Sequence, residues 1–220
     1  DIFRKANFDL HKWNSNAREL EVDQDVSGLE LSYAKEQLGT KSGQCRLLGL
    51  AWNKDNDTIG VTFPQTTAQP TKREVLSRIA KIFDPLGLVA PTVLQGKLIY
   101  RDACLEKLSW DSALPDELTK RWNKWQDNLP EQVNTPRALV IEGEPIKAID
   151  LHGFGDASGR GVACAVYATV TQESGVNQGL VAARARLAKQ GLTIPRLELV
   201  AGHMTVNLLT NVRDALTGFP

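Results

Sequence analysis

The stretch that most restricts the fold is residues 161–170, GVACAVYATV, which carries no charge and almost no polarity. It is far shorter than the roughly 20 residues of a membrane span, and such a run reads as a central strand buried on both faces. Residues 148–156 alternate and end on a carboxylate, Asp156, and residues 179–187 can form a third strand. Three strands in succession suggest a meander. Beyond Gly191, Pro195 stands where a helix accepts a first-turn proline, and Leu197, Val200, Ala201, Met204, Leu208, Val212 and Leu216 hold one apolar stripe. The expected unit is a three-stranded sheet with one long helix.

Upstream, the first seventy residues read as short strands and turns. Residues 8–13 alternate loosely, 46–52 are an apolar run, and Asn53-Lys54-Asp55-Asn56-Asp57 is a polar turn before 58–63, which predicts a hairpin. The period becomes helical at Thr71-Lys72-Arg73-Glu74, a capping-box pattern followed by Val75, Leu76, Ile79, Ile82 and Phe83. Asp84-Pro85-Leu86-Gly87 ends that helix. A second runs from about Pro91 to Leu105, and a third carries Leu118, Trp122, Trp125 and Leu129 on one stripe. Residues 130–136 read as a linker, 138–141 as a strand, and Glu142-Gly143-Glu144-Pro145 as a turn. The boundaries expected are 1–70, a helical unit at 71–130, a linker at 131–147 and the final unit at 148–220.

Composition removes several classes of function. Twenty-six basic residues balance 26 acidic ones, so a nucleic-acid partner would be held by local patches and not by bulk charge. Cys45, Cys104 and Cys164 fit neither a disulfide framework nor zinc spacing, which points to a reducing, intracellular compartment, cytoplasm or nucleus. No apolar run suits a membrane span, and the start at Asp1 has no signal-peptide order, so the chain is expected to begin and end within a longer protein.

Asp156 lies in Gly155-Asp156-Ala157-Ser158-Gly159, where small neighbours admit solvent, metal or phosphate. Glu198 lies in the first turn of the long helix, one position off its stripe. If that helix packs across the strands, the two carboxylates can converge at a sheet edge. Oxygen-only ligands suit Mg²⁺ or Mn²⁺, which in pairs about 4 Å apart support phosphodiester cleavage. The residues alone leave a plainer alternative, a turn-forming Asp and a dipole-favoured Glu. Arg184, Arg186, Lys189 and Arg196 surround this corner and could steer a phosphate backbone; Lys72, Arg73, Arg78 and Lys81 form a basic helix edge that could do so or be solvated. His11, His152 and His203 share no ligand spacing, and Trp122 and Trp125 read as core.

Seven strings in order resemble the Bel/Pao-type LTR retrotransposon polyprotein after its polymerase active site. They are FDLHKWNSN at 8–16, LGLAWN at 48–53, TKREVLS at 71–77, IFDPLGLVAP at 82–91, Trp110-Asp111 with Leu114-Pro115, HGFGDAS at 152–158 and IPRLEL at 194–199. The resemblance implies an α/β (α+β) chain: palm-end strands around the primer grip, a helical thumb or connection, and the N-terminal part of a ribonuclease H-like domain. It implies that Asp156 and Glu198 are catalytic metal ligands for Mg²⁺ or Mn²⁺, and that Lys12 and Trp13 lie near the primer strand. Arg184 and Arg196, by their place around the site, are the further cations expected to approach nucleic acid, with a plain solvated role equally open. The partners implied are primer-template and RNA:DNA hybrid, with no membrane; no oligomeric state follows.

The polymerase Tyr-x-Asp-Asp motif does not occur, and the later ribonuclease H carboxylates are expected past Pro220. Asp214 would stand roughly 24 Å from Glu198 along one helix, too far for a shared metal centre. The excerpt alone is therefore expected to be an incomplete enzyme. Two alternatives stay open: the family region is also labelled a Pao retrotransposon peptidase, and a domesticated remnant could act as a binding module. Against the first, Asp156-Ala157-Ser158-Gly159 has one residue too many for an Asp-Thr/Ser-Gly turn.

Overall fold

The structure, a computed structural model, describes residues 15–16, 45–66 and 69–219. The expected strand at 8–13, with Lys12 and Trp13, lies outside the described residues. Among the described residues the chain is α+β, with two antiparallel sheets and four helices. No described helix is long and apolar enough to cross a membrane.

The first sheet runs β1 (Cys45–Leu47), β2 (Leu50–Asn53), β3 (Thr58–Thr62) and β4 (Gln132–Pro136), in that order. The apolar run at 46–52 is thus not one strand. It folds back at Leu48 and Gly49, whose φ angles of 52° and 84° make a tight hairpin turn. The β2–β3 hairpin is where the sequence places it, with Asn53 Oδ1 accepting the Asp55 and Asn56 N–H groups.

Against this sheet lie α1 (Lys72–Ala80), α2 (Ala90–Leu105) and α3 (Asp116–Asp127). Thr71 caps α1 by accepting the Glu74 N–H, as the capping-box pattern requires. Leu50, Trp52, Val61 and Phe63 of the sheet share one hydrophobic core with Val75, Ile79, Ile99, Leu118, Trp122 and Trp125 of the helices. The structure therefore joins strands and helices across the boundary drawn at residue 70. Trp122 and Trp125 stack with centroids 5.1 Å apart, and Trp125 Nε1 donates to the Thr92 carbonyl, tying α3 to α2.

Two expectations after α3 are corrected. Residues 132–136, read as linker, are β4, paired with β3 from Thr58↔Pro136 to Thr62↔Gln132. Residues 138–141, read as a strand, form no ladder. Buried Gln172 clamps that segment instead, accepting from the Ile141 N–H (2.7 Å) and donating to the carbonyls of Ile141 (3.0 Å) and Glu144 (3.1 Å).

The second sheet is the expected meander, β5 (Ala148–Ala157), β6 (Gly161–Thr171) and β7 (Val176–Leu187), with α4 (Ile194–Ala215) across one face. Its core holds Val162, Cys164, Val166 and Ala182 from the sheet and Leu197, Ala201, Met204 and Leu208 from α4. β6 is central, yet its burial alternates and Tyr167 is exposed, so only the α4 face is fully closed. The expectation of burial on both faces fails because the other face is covered only in part: Leu94 of α2 packs against Gly161, whereas Tyr167 stays exposed.

The motif Asp84-Pro85-Leu86-Gly87 joins the two units. Asp84 accepts the N–H groups of Leu88 and Val89 at 2.8 and 2.9 Å, fixing the entry to α2. The Leu86 carbonyl then accepts the Ala183 N–H at 2.7 Å, so the turn caps the outer edge of β7. Gly87, at φ +79°, lies so close that a Cβ there would stand 2.0 Å from the Ala183 oxygen.

Candidate active site

Side chains alternate along β5, so Leu151 and Ala157 join the α4 core while Asp156 points to the opposite face. Gly153 and Gly155 share the α4 face and carry no side chain where the helix comes closest. A Cβ on Gly155 would stand 2.3 Å from Thr205 Oγ1, and one on Gly153 would stand 2.3 Å from Leu209. Thr205 Oγ1 donates to the Ala201 carbonyl of its own helix at 2.8 Å and lies 3.3 Å from the Phe154 carbonyl, so its side chain sits against the strand.

This register fixes where Glu198 falls. Leu209, Thr205 and Ala201 meet β5 in turn as the strand runs from Gly153 to Gly155, so α4 descends toward the Asp156 end. Glu198 precedes Thr205 by seven residues, two helical turns on the same azimuth. Glu198 therefore sits on the β5 side of α4 at the end of the strand that carries Asp156. Asp156 lies beyond the close-approach glycines and points away from α4, so the two exposed carboxylates flank the strand end from either side, with no hydrogen bond between them.

Asp156 is held by its own turn. Its Oδ1 accepts the Ala157 N–H at 2.8 Å, and Ser158 closes the loop to Gly161 through N–H to carbonyl at 2.8 Å. Among the described residues β5 has no strand on its outer edge, so this corner is open to solvent.

The donor set, two exposed carboxylates with no thiolate or imidazole, fits a hard cation such as Mg²⁺ or Mn²⁺. Among the described residues no group of three or more His, Cys, Asp or Glu could hold a metal, so any ion here would keep water or take other donors. Buried Cys164 packs in the α4 core, where burial pushes its thiol pKa up. Asp214 stands at the far end of α4 and pairs with Arg213 at 2.8 Å.

The predicted cations divide. Arg184 Nη1 donates to the carbonyls of Pro85 (2.9 Å) and Ala183 (2.8 Å), reinforcing the clasp between the two units. Arg196 is exposed in the first turn of α4, two residues before Glu198 and so about 200° round the helix from it. On α1 the basic edge is structural: Arg78 is buried and donates to the Thr66 and Pro64 carbonyls, Arg73 pairs with Asp111, and Lys72 lies over the Trp110 ring. Sequence reading passed over Arg121, Lys124 and Arg160, which line a cleft of about 510 Å³ opening on Asp156. Their only signal is the three-residue spacing of Arg121 and Lys124, each standing just before a buried tryptophan.

A family model described as Pao retrotransposon-like RNaseH-like domain matches residues 71–218, from the cap of α1 to just past α4. No curated protein and no solved structure matches the chain.

Proposed function

Because the chain belongs to the Pao retrotransposon-like RNaseH-like domain family, we propose that it acts in reverse transcription, hydrolysing the RNA strand of RNA:DNA hybrids by two-metal chemistry within its polyprotein. The observation that carries this is the register of α4 on β5, which delivers Glu198 to the strand end that presents Asp156.

In this reading Asp156 and Glu198 hold Mg²⁺ or Mn²⁺. The bound ions would supply an activated water and stabilise the leaving oxygen of the phosphodiester. The chain's own residues do the positioning. Gly153 and Gly155 let α4 approach, Thr205 packs against their backbone, and the Ser158 turn holds the Asp156 backbone. Arg196 would meet phosphate at the start of α4, on the side of the helix away from Glu198. Lys12 and Trp13 would approach the primer strand if the polymerase resemblance holds.

The test has two readouts. Mn²⁺ added to chain 1–220 is expected to broaden amide resonances around 155–158 and at Glu198, and Asp156→Asn or Glu198→Gln to suppress the broadening. In the longer polyprotein, either substitution is expected to abolish Mg²⁺-dependent cleavage of the RNA strand. Full cleavage by Asp156→Asn would refute the assignment, and peptide hydrolysis abolished by the same substitution would replace it with a peptidase.

A further inference from the structure

A chain with 26 basic and 26 acidic residues has no bulk attraction for a polyanion, so any nucleic-acid grip must come from a local concentration of cations. The cleft between the helical layer and the Asp156 end of the second sheet has one. Arg121 and Lys124 of α3 and Arg160 of the β5–β6 turn line it, facing the single carboxylate of Asp156. Asn128 and Gln95 add neutral polar groups, and Trp125 forms part of the wall.

These side chains are presented by rigid structure. Arg121, Lys124 and Asn128 follow at i, i+3 and i+7 on one side of the α3 axis, whereas Trp122 and Leu118 anchor the helix in the core. The cations also differ in how far they are already committed. Arg121 Nη1 pairs with Asp102 at 2.8 Å, which orients it and spends part of its charge. Among the described residues Lys124 and Arg160 have no ion-pair partner, so their charge is available to a ligand. A cleft that gathers uncommitted cations around a solvent-exposed Asp suits a strand with anions on its backbone and a scissile bond at the carboxylate.

We propose that this cleft is a backbone-binding groove in which Lys124 and Arg160 contact phosphates of the nucleic-acid strand running past Asp156, with Asn128 bonding to phosphate or sugar. The proposal rests on the nuclease reading above and deepens it. It gives α3, outside the three-stranded sheet, a direct role in holding substrate. The clasp at residues 84–87 then matters because it fixes the helical layer against the sheet and so sets the width of the groove.

The experiment is fluorescence anisotropy of a labelled RNA:DNA hybrid with chain 1–220 in EDTA, so that metal plays no part. Lys124→Glu combined with Arg160→Glu is expected to weaken binding roughly tenfold or more at low salt and to reduce the slope of log affinity against log salt by about 2. Reversing Lys81 and Lys147, neither of which lines the cleft, is expected to change the slope far less. Should circular dichroism show that the reversals perturb the fold, Lys124→Gln with Arg160→Gln serves in their place, with the same loss of slope expected. Unchanged binding in the cleft pair, an equal loss in the control pair, or a parent chain that does not bind the hybrid would each overturn the groove. Retained hybrid binding through Lys124 and Arg160 in a longer polyprotein that never cleaves would sink the nuclease reading while supporting the groove.

Discussion

Replacing Gly87 with alanine tests how firmly the helical layer is tied to the three-stranded sheet. At φ +79° an L-residue is strained by about 1 kcal/mol. The added Cβ would also stand 2.0 Å from the Ala183 oxygen and 2.6 Å from its carbonyl carbon, both backbone atoms of a strand that cannot move cheaply. The turn must lift, which breaks the Ala183 to Leu86 bond (2.7 Å) and loosens the Arg184 to Pro85 bond (2.9 Å), each worth about 1 kcal/mol. The expected loss is therefore about 3 kcal/mol. Gly143 supplies the control: its φ of +85° imposes the same backbone strain, but nothing lies within 4 Å of its added Cβ. Urea unfolding followed by tryptophan fluorescence reports the helical core, because all five tryptophans precede residue 131. Hydrogen exchange at the Ala183 amide reports the clasp directly. Gly87→Ala should cost about 2 kcal/mol more than Gly143→Ala, with Ala183 exchanging faster by one to two orders of magnitude. Equal losses in the two variants, or an unchanged Ala183 amide, would show that the turn does not hold the units together.

Other outcomes follow from the same kind of reasoning. Gln172→Ala removes a buried amide and its three hydrogen bonds to Ile141 and Glu144 and should cost about 2 kcal/mol, read as a lower thermal midpoint and faster exchange at Ile141. The two hydrogen bonds from Arg137 hold the Asp57 carboxyl below the usual carboxylate range, helped by the Trp52 indole. A depressed folded pKa gives stability that is complete above about pH 4 and is lost as pH falls through the lower, folded value. With Asp57 and Arg137 side chains still 25% and 34% exposed, Asp57→Asn should cost only about 1 kcal/mol at neutral pH and flatten the acid limb of a stability-against-pH curve. Truncating Trp122, which is fully buried and stacked on Trp125, should cost about 4 kcal/mol in the same urea assay.

What the sequence made legible is what periodicity encodes. The 22-residue helix α4 shows as an apolar stripe, α1 as a cap followed by a stripe, and β6 as an uncharged run, because each element's own burial dictates its composition. β4 is illegible for the opposite reason. Gln132-Val133-Asn134-Thr135-Pro136 is an edge strand with only Val133 and Thr135 turned inward, and its partner β3 lies some seventy residues earlier. Arg184 shows the same limit at the level of a side chain. Its composition says cation near a site, whereas its actual acceptor at Pro85 is 99 residues away. For α3 the spacing of Arg121 and Lys124 was readable, but nothing local says that this side of the helix turns toward Asp156.

The strand that carries Asp156 shows how a local rule and a long-range one combine. Glycines at 153 and 155 read locally as weak points in a strand, since each removes a side chain from the packing. In the fold they are the reason α4 can lie directly on the backbone, and the helix register that results is what brings Glu198 to the strand end. The same strand forms an outer edge of its sheet among the described residues. A further strand laid on that edge would run about 4.8 Å from β5 and set its own side chains beside Asp156. That is where the additional carboxylates expected from the ribonuclease H resemblance would have to enter. The open edge and the two carboxylates adjoin: Glu198 approaches over the helix face, Asp156 points to the other, and the edge that no described strand pairs lies between them, which under the nuclease proposal is where further donors would fit.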